Sequence, residues 1–360
     1  MAVISVINQK GGCGKTTTSV NVSTGLVRRG YRVLLVDMDP QGHSTLGLGF
    51  DPDALTQTVF DVIDTREQDV PLSTVALQPA ERLTLLPSNV ALSSFEQSMA
   101  GKAWRESRLA KVLFKVKNQY DYIIIDCPPS LGLLTVNALL ASTHVIVPID
   151  SGFYSLSGVK KLRETVEMLR SKVQHELNIK HVITFYDSKS TFNKDFLSDL
   201  HKIVGLESLF KQKIRRSMKF DASQRQGRSV IDLGSKRCGV AFRDYLNLTQ
   251  EIVEWTKTAR NFRLRSLRTT NKTEVRRQMV RAINMAYRGE ARDVKIAGAF
   301  NDWQPLPLQK NKNGQWETAI ELNPGQYEYK FIVDGNWITD PNNAKVEIRN
   351  NIVNSVLVVK

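Results

Sequence analysis

A doubly wound, mostly parallel α/β sheet followed by a small all-β, immunoglobulin-like sandwich is the architecture this 360-residue sequence predicts. Three observations carry the prediction. Short β-branched, apolar runs alternate with longer stretches of helical period as far as about residue 258. A glycine-rich loop, "KGGCGKTT", joins the first such run to the first helical stretch. From Asp293 onward the hydrophobic period changes to two.

The elements follow in order. Residues 2–8, 32–37, 83–86, 121–126 and 144–149 read as buried parallel strands. "TTTSVNVSTGLVRR" and "SRLAKVLFKVKNQ" read as the helices between them, and "HVITFYD" with a helix near 193–204 continues the pattern. A helix near 239–258 is expected to close a domain spanning 1–258. Residues 259–272, "RNFRLRSLRTTNKT", read as a basic linker. Residues 273–288 read as a short helix, with Val275, Met279, Ala282, Ile283 and Ala286 on one face and arginines elsewhere. Together 259–290 form the connection to a sandwich at 291–360. There "VKIAGAF", "WETAIEL", "YEYKFIVDG" and "NSVLVV" are strands, separated by the turn signals "KNG", "NPG", "DGN" and "DPNN".

Composition narrows the class. Hydrophobic content is 41%, ordinary for a globular protein, and no apolar run approaches the roughly 20 residues that cross a bilayer. The N-terminus enters a strand-like run at once, with no basic-then-apolar leader pattern. Cys13, Cys127 and Cys238 are widely spaced and odd in number, which reads as free thiols in a reducing compartment. The net charge is +14. Between Lys257 and Lys295 there are 12 Lys/Arg against 3 Asp/Glu. Such clustering suits a polyanion partner, nucleic acid or an acidic membrane surface; a merely basic, solvated surface is the alternative.

The glycine-rich loop follows a strand and precedes a helix, the setting of a phosphate loop. Gly11, Gly12 and Gly14 allow a tight turn whose N–H groups face phosphate oxygens. Cys13, Thr16 and Thr17 complete the cradle, and the helix beginning near Lys15 adds its positive end. Lys15 fits the cation at the β- and γ-phosphates of ATP, and the Thr16 hydroxyl a ligand to Mg²⁺. "YDYIIIDCPPS" ends an apolar strand in Asp126, a second metal-side group or an ordinary cap. In "LLVDMDPQGHST" Asp37 and Asp39 share one side of a strand that Pro40 terminates. Asp39 is the candidate that orients a hydrolytic water, with Asp37 nearer the metal. Lys10, five residues before Lys15, is surplus to binding phosphate within one chain.

"KGGCGKTTTSVN", "LLVDMDPQGHSTLGLG" and "YDYIIIDCPPSLG" together resemble the ParA/MinD family of deviant Walker A ATPases, closest to the short chromosomal, Soj-like type, over about residues 1–258. The resemblance implies that Lys10 reaches the partner subunit's nucleotide, so that ATP joins a homodimer. A second cation there offsets charge that grows in the transition state. Cys13 stands where the family usually has valine; it reads as a small loop side chain rather than a redox switch. The family also implies an activating partner protein, a cytoplasmic, nucleoid-associated location and ATP-dependent binding to DNA without sequence preference. "FKQKIRRSMKFDASQRQGRSVIDL" is similar to the family's DNA-facing stretch, and Arg215, Arg216 and Lys219 are the positions carried over. A solvated basic edge is the plainer reading of those charges. The 273–288 segment reads as packing or touching DNA rather than lying on a membrane.

"GAFNDW", "YKFIVDGNWITDP" and "VNSVLVV" resemble the glycogen-binding domain of the AMP-activated kinase β subunit, over residues 294–359. In that family Trp303, Lys330, Trp337 and Asn354 occupy glucan-contacting positions. Flat aromatic faces suit sugar rings. "RNNIVN" departs from the family pattern, with Asn350 and Ile352 in place of leucine and threonine. An α-glucan ligand, a protein ligand and a purely stabilising role all remain open for this domain.

The sequence-level reading is thus an Mg²⁺-dependent, ATP-dimerised, DNA-binding ATPase that partitions or positions a cargo. The alternative is a carbohydrate-responsive scaffold that uses ATP as a dimerisation switch without DNA.

Overall fold

A computed structural model describes the chain except residues 65–69, 103, 151–163, 168–174, 188–191, 270–280, 302, 312, 323–324, 350–351 and 360. Contacts divide the chain into two compact units, Met1–Ala259 and Arg260–Lys360.

The first unit is built on a seven-stranded sheet in the order β3-β4-β2-β5-β1-β6-β7. Its strands are β1 (Ala2–Val6), β2 (Val33–Asp37), β3 (Leu77–Ala80), β4 (Leu83–Leu86), β5 (Tyr122–Asp126), β6 (His144–Asp150) and β7 (Asn178–Thr184). All pairings are parallel except β3 with β4. The sequence reading passed over β3: "LQPA" contains a proline and alternates between half-buried and exposed, as an edge strand does.

The central strands read as continuous apolar runs because both faces are covered. Along β2, Leu34 and Val36 enter one core and Val33 and Leu35 the other. Helix α1 (Lys15–Arg28) lies on the second face through Val20, Val22 and Leu26. Two more helices, Leu133–Ala141 and Phe192–Val204, pack against the first.

The final helix is longer than the sequence suggested. It spans Val230–Thr269, with non-helical backbone at Gly234 and Gly239. The expected linker at 259–272 is therefore helical as far as Thr269. "RNFRLRSLR" contains no glycine or proline and is rich in arginine and leucine, both good helix formers.

The second unit holds two antiparallel sheets. The larger is ordered β10-β9-β13-β16-β15, with β14 added to β13; the smaller is β11-β12-β8. Its strands are β8 (Arg281–Tyr287), β9 (Val294–Gly298), β10 (Leu306–Pro307), β11 (Gln309–Lys310), β12 (Trp316–Leu322), β13 (Gly325–Val333), β14 (Asn336–Ile338), β15 (Val346–Arg349) and β16 (Ile352–Val359). Met285, Tyr287, Val294, Ile296, Leu308, Tyr329 and Phe331 form the core between them.

The short helix expected at 273–288 is overturned where it is described. Residues 281–287 are strand β8, paired along β12 from Arg281↔Leu322 to Tyr287↔Trp316. Ile283, Met285 and Tyr287 recur with period two and face the core, while Ala282 and Asn284 are exposed. The helical face read from Ala282, Ile283 and Ala286 was a coincidence of spacing. Pairing with β12 decided between two weak periods. Residues 270–280, the rest of that reading, lie outside the described residues.

Candidate nucleotide site

The parallel strands deliver their C-terminal ends to one edge of the sheet, where α1 begins. That edge is where doubly wound folds hold ligands. A cleft of about 960 Å³ opens there, lined by the glycine-rich loop, Lys15, Thr16, Thr17, Asp39, Pro129 and Phe185, among others.

The loop needs its glycines. Gly12 and Gly14 have φ of 70° and 87°, in the left-handed region where a side chain is strained. Gly14 also caps α1, whose first residue is Lys15. Lys15 is buried, and its Nζ donates to the Lys10 carbonyl at 3.1 Å. Lys15 is thereby folded back over the loop.

Asp37 and Asp126 stand directly opposite each other at the ends of β2 and β5, both fully buried. Asp37 accepts from the Thr45 N–H at 2.9 Å, the Thr45 hydroxyl at 2.8 Å and the Asp39 N–H at 3.2 Å. Asp126 accepts from the hydroxyls of Ser19 at 2.9 Å and Ser44 at 2.8 Å, and the Thr16 hydroxyl also bonds to it. Burial raises both carboxyls above the usual range, and the charge of Asp126 adds to the effect on Asp37. Two buried carboxylates beside a threonine hydroxyl form an all-oxygen donor set. Such a set fits a hard dication, whose charge offsets the cost of holding them ionised. Asp39 is buried at the cleft wall and accepts the Gln41 N–H at 3.0 Å.

Lys10 is engaged in an ion pair. Its Nζ pairs with Asp150, at 2.8 and 2.6 Å to the two oxygens. Cys13 is fully buried, and burial pushes its thiol up, the reverse of a reactive thiolate. Cys127 and Cys238 are also buried free thiols.

Asp150 was missed because nothing near "VPIDSG" marks it in the sequence. Ser44 and Thr45 were legible in principle, since both lie in the "DPQGHST" run. Phe185, with φ 51°, was not: its place against Gly14 depends on the end of β7.

The three candidate DNA positions differ. Arg216 and Lys219 are exposed, and Met218 between them is 87% exposed. Arg215 is engaged with fully buried Asp244, which accepts its backbone N–H and its Nε at 3.0 Å each, and its Nη2 at 2.5 Å. Glu251 accepts the N–H groups of Lys211 and Gln212, both at 2.8 Å. The basic strip is thus fastened to the final helix by two carboxylates that sequence spacing did not reveal.

In the second unit the four candidate sugar contacts share the outer face of the larger sheet. Trp337 stands opposite Ile332, and Lys330 lies two residues along on that face. Tyr329 and Phe331 point the other way, into the core. Trp303 and Trp337 are 36% and 48% exposed, with ring centroids 6.3 Å apart and planes tilted by 39°. Asn354 donates to Glu328 at 2.8 Å, while its buried Oδ1 has no hydrogen-bond partner among the described residues. Ile352 begins β16; Asn350 lies outside the described residues.

Comparison with known proteins gives two matches along the chain. A family described as AAA domain matches residues 1–179, and one described as glycogen recognition site of AMP-activated protein kinase matches residues 281–360. The second begins at the first residue of β8. The sporulation initiation inhibitor protein Soj of Bacillus subtilis is 37% identical over 251 residues, covering 69% of this chain and 97% of Soj. The chromosome partitioning protein ParA of Myxococcus xanthus is 34% identical over 257 residues, covering 70% of this chain and 88% of ParA. Among solved structures, cobyrinic acid a,c-diamide synthase of Mycobacterium smegmatis with bound ADP and magnesium is similar, with TM-score 0.62 and 33% identity, over 72% of this chain and 96% of that one.

Proposed function

The chain belongs to the Soj/ParA family of P-loop ATPases, which act in partitioning or positioning, and on that premise we propose that it is an Mg²⁺-dependent ATP hydrolase that dimerises on ATP, binds DNA non-specifically as a dimer and positions a cargo selected by its C-terminal module. The observation that carries the reading is the convergence of Lys15, Thr16, Asp37, Asp39 and Asp126 on one cleft edge.

Each residue has a part. The loop N–H groups and Lys15 bind the phosphates. Thr16, with Asp126 and Asp37 behind it, would hold Mg²⁺, which would supply charge neutralisation at the phosphates. Asp39 orients water for in-line attack. Lys10 exchanges Asp150 for the partner subunit's nucleotide, so dimerisation replaces one ion pair by another. Arg216 and Lys219 contact DNA phosphates, and Arg215 holds the strip in place through Asp244. The Trp303–Trp337 platform takes an α-glucan, with a protein ligand as the alternative. An activating partner sets the turnover. The protein works in the cytoplasm, on the nucleoid.

The test is retention on non-specific duplex DNA and on glycogen with ATP, ADP and no nucleotide, across a salt series. Salt-sensitive DNA binding that requires ATP supports the reading. ATP hydrolysis without any DNA binding favours the second reading, a carbohydrate-responsive scaffold switched by ATP. The engagement of Arg215 by Asp244 is the observation in favour of that second reading. Absence of Mg²⁺-dependent hydrolysis overturns the first reading, and absence of ATP binding overturns both.

A further inference from the structure

The larger sheet of the sandwich has two edges, and they are finished differently. At one edge β10 is two residues long and ends in Pro307, which has no N–H to offer. Short strands and proline are the usual means of closing an edge. At the other edge β15 runs Val346–Arg349 and pairs, among the described residues, with β16 alone. No proline or glycine interrupts it.

The side chains of this edge are placed as if the sheet continued. Val346 lies opposite Ser355, and Ile348 opposite Val353. Ser355 in turn lies opposite the core residue Tyr329. Val346, Ile348 and Val353 therefore stand on the core face of the sheet, yet they are 45%, 67% and 38% exposed. The core face runs on into solvent as an apolar strip, beside a backbone edge with ladder bonds to give.

We propose that this edge pairs with the same edge of a second copy of the chain, β15 antiparallel to β15, giving a dimer that needs no nucleotide. Self-complementarity selects the occupant. A twofold axis normal to the sheet keeps both apolar strips on one side, so only registers centred on a residue are allowed. Centring on Ile348 sets Ile348 against Ile348 and places Glu347 at the register position opposite Arg349, twice. Centring on Glu347 sets like charges face to face, which is destabilising. Of the two registers that keep three residue pairs within β15, charge therefore chooses the one centred on Ile348. The interface involves neither the nucleotide cleft nor the tryptophan platform. A chain with this contact and an ATP-dependent one would pass from dimers to larger assemblies on ATP.

The test is sedimentation of the full chain without nucleotide, over a micromolar concentration series. A monomer–dimer equilibrium is expected. Ile348→Glu should raise its dissociation constant by at least about tenfold, with melting unchanged because the side chain is exposed. Glu347→Arg and Arg349→Glu should each weaken the dimer, and the two combined should restore it. Should Ile348→Glu fail to fold, the charge-reversal set carries the test alone. A wild-type chain that stays monomeric, whatever else binds the edge, overturns the proposal. So does a dimer indifferent to Ile348→Glu, or a double reversal that folds and does not recover.

Discussion

The nucleotide cleft buries its chemistry, and the sandwich wears its chemistry outside. Among the described residues, Lys15, Asp37, Asp39, Asp126, His181 and Asp244 are all buried polar groups of the first unit, whereas the second buries only Asn354 and Ser355. The difference follows from what each ligand would demand. Phosphoryl transfer needs charges fixed before the reaction, in a site from which water is largely excluded. A sugar ring needs a flat apolar face and a few edge contacts. The first arrangement costs stability and must be held by a surrounding network, here Ser19, Ser44 and Thr45. The second costs little, so its residues can change with little effect on the fold.

The comparison is most easily broken at Lys15. Lys15→Ala removes the buried cleft cation whose Nζ meets the loop's own backbone, and no measurable ATP binding or turnover should remain. Isothermal titration with Mg²⁺-ATP checks it; near-normal affinity would show that the loop holds phosphate by backbone alone. Asp39→Ala should come next. Hydrolysis should fall by about 10²–10⁴-fold while nucleotide binding persists, so the ATP-bound form accumulates. Wild-type turnover in this variant would mean that another group orients the water.

Acid should separate the two units. All five histidines lie in the first unit. Burial holds the His181 imidazole down at about 4, and its Nδ1 lies 3.1 Å from the Ser208 carbonyl. The unfolded histidine titrates near 6.5. As pH falls below that value the unfolded chain takes up the proton first. The contribution of His181 is therefore full above about 6.5, is lost as pH falls towards 4, and is constant below. The loss amounts to about 3 kcal/mol. Melts followed by circular dichroism from pH 7 to 4.5 should show a destabilised first transition, with the slope reduced in His181→Asn. Equal slopes in wild type and variant would mean that the group stays wet.

The same contrast explains what the sequence made legible. The phosphate loop, the two aspartates of "VDMDP" and the strand-end Asp126 are local patterns, each fixed by strand, turn and helix within a few residues, and the structure brings them together. The partners that tune them are not local. Asp150 meets Lys10 across 140 residues, and Asp244 meets Arg215 across 29. Only the closed fold makes those pairs. In the second unit, β8 was misread because Ile283, Met285 and Tyr287 carry a period-two signal too short to outweigh a helical one. Its partner β12 lies far along the chain, as the register Ile283↔Ile320 shows.

The smallest expected effect is the sharpest test of the exposed platform. Trp303 has φ 58°, a backbone conformation that a bulky side chain disfavours and glycine adopts freely. Its N–H still donates to the Gly298 carbonyl at 3.0 Å, so the turn itself does not depend on the indole. A tryptophan at such a position, 36% exposed and beside Trp337, gains little stability from its place. Trp303→Gly exchanges lost packing of a half-exposed ring for relief of backbone strain. The net change should stay within about 1 kcal/mol in either direction. Trp337→Ala, at 48% exposure, should cost a similarly small amount. Glycogen retention by the full chain should nevertheless be lost in both variants, while Mg²⁺-dependent hydrolysis is kept. A core role predicts the opposite, a loss of about 3–5 kcal/mol on truncation. Variants that melt as the wild type does and still hold glycogen would leave the platform without a sugar, and the second unit would then be a module for a protein ligand.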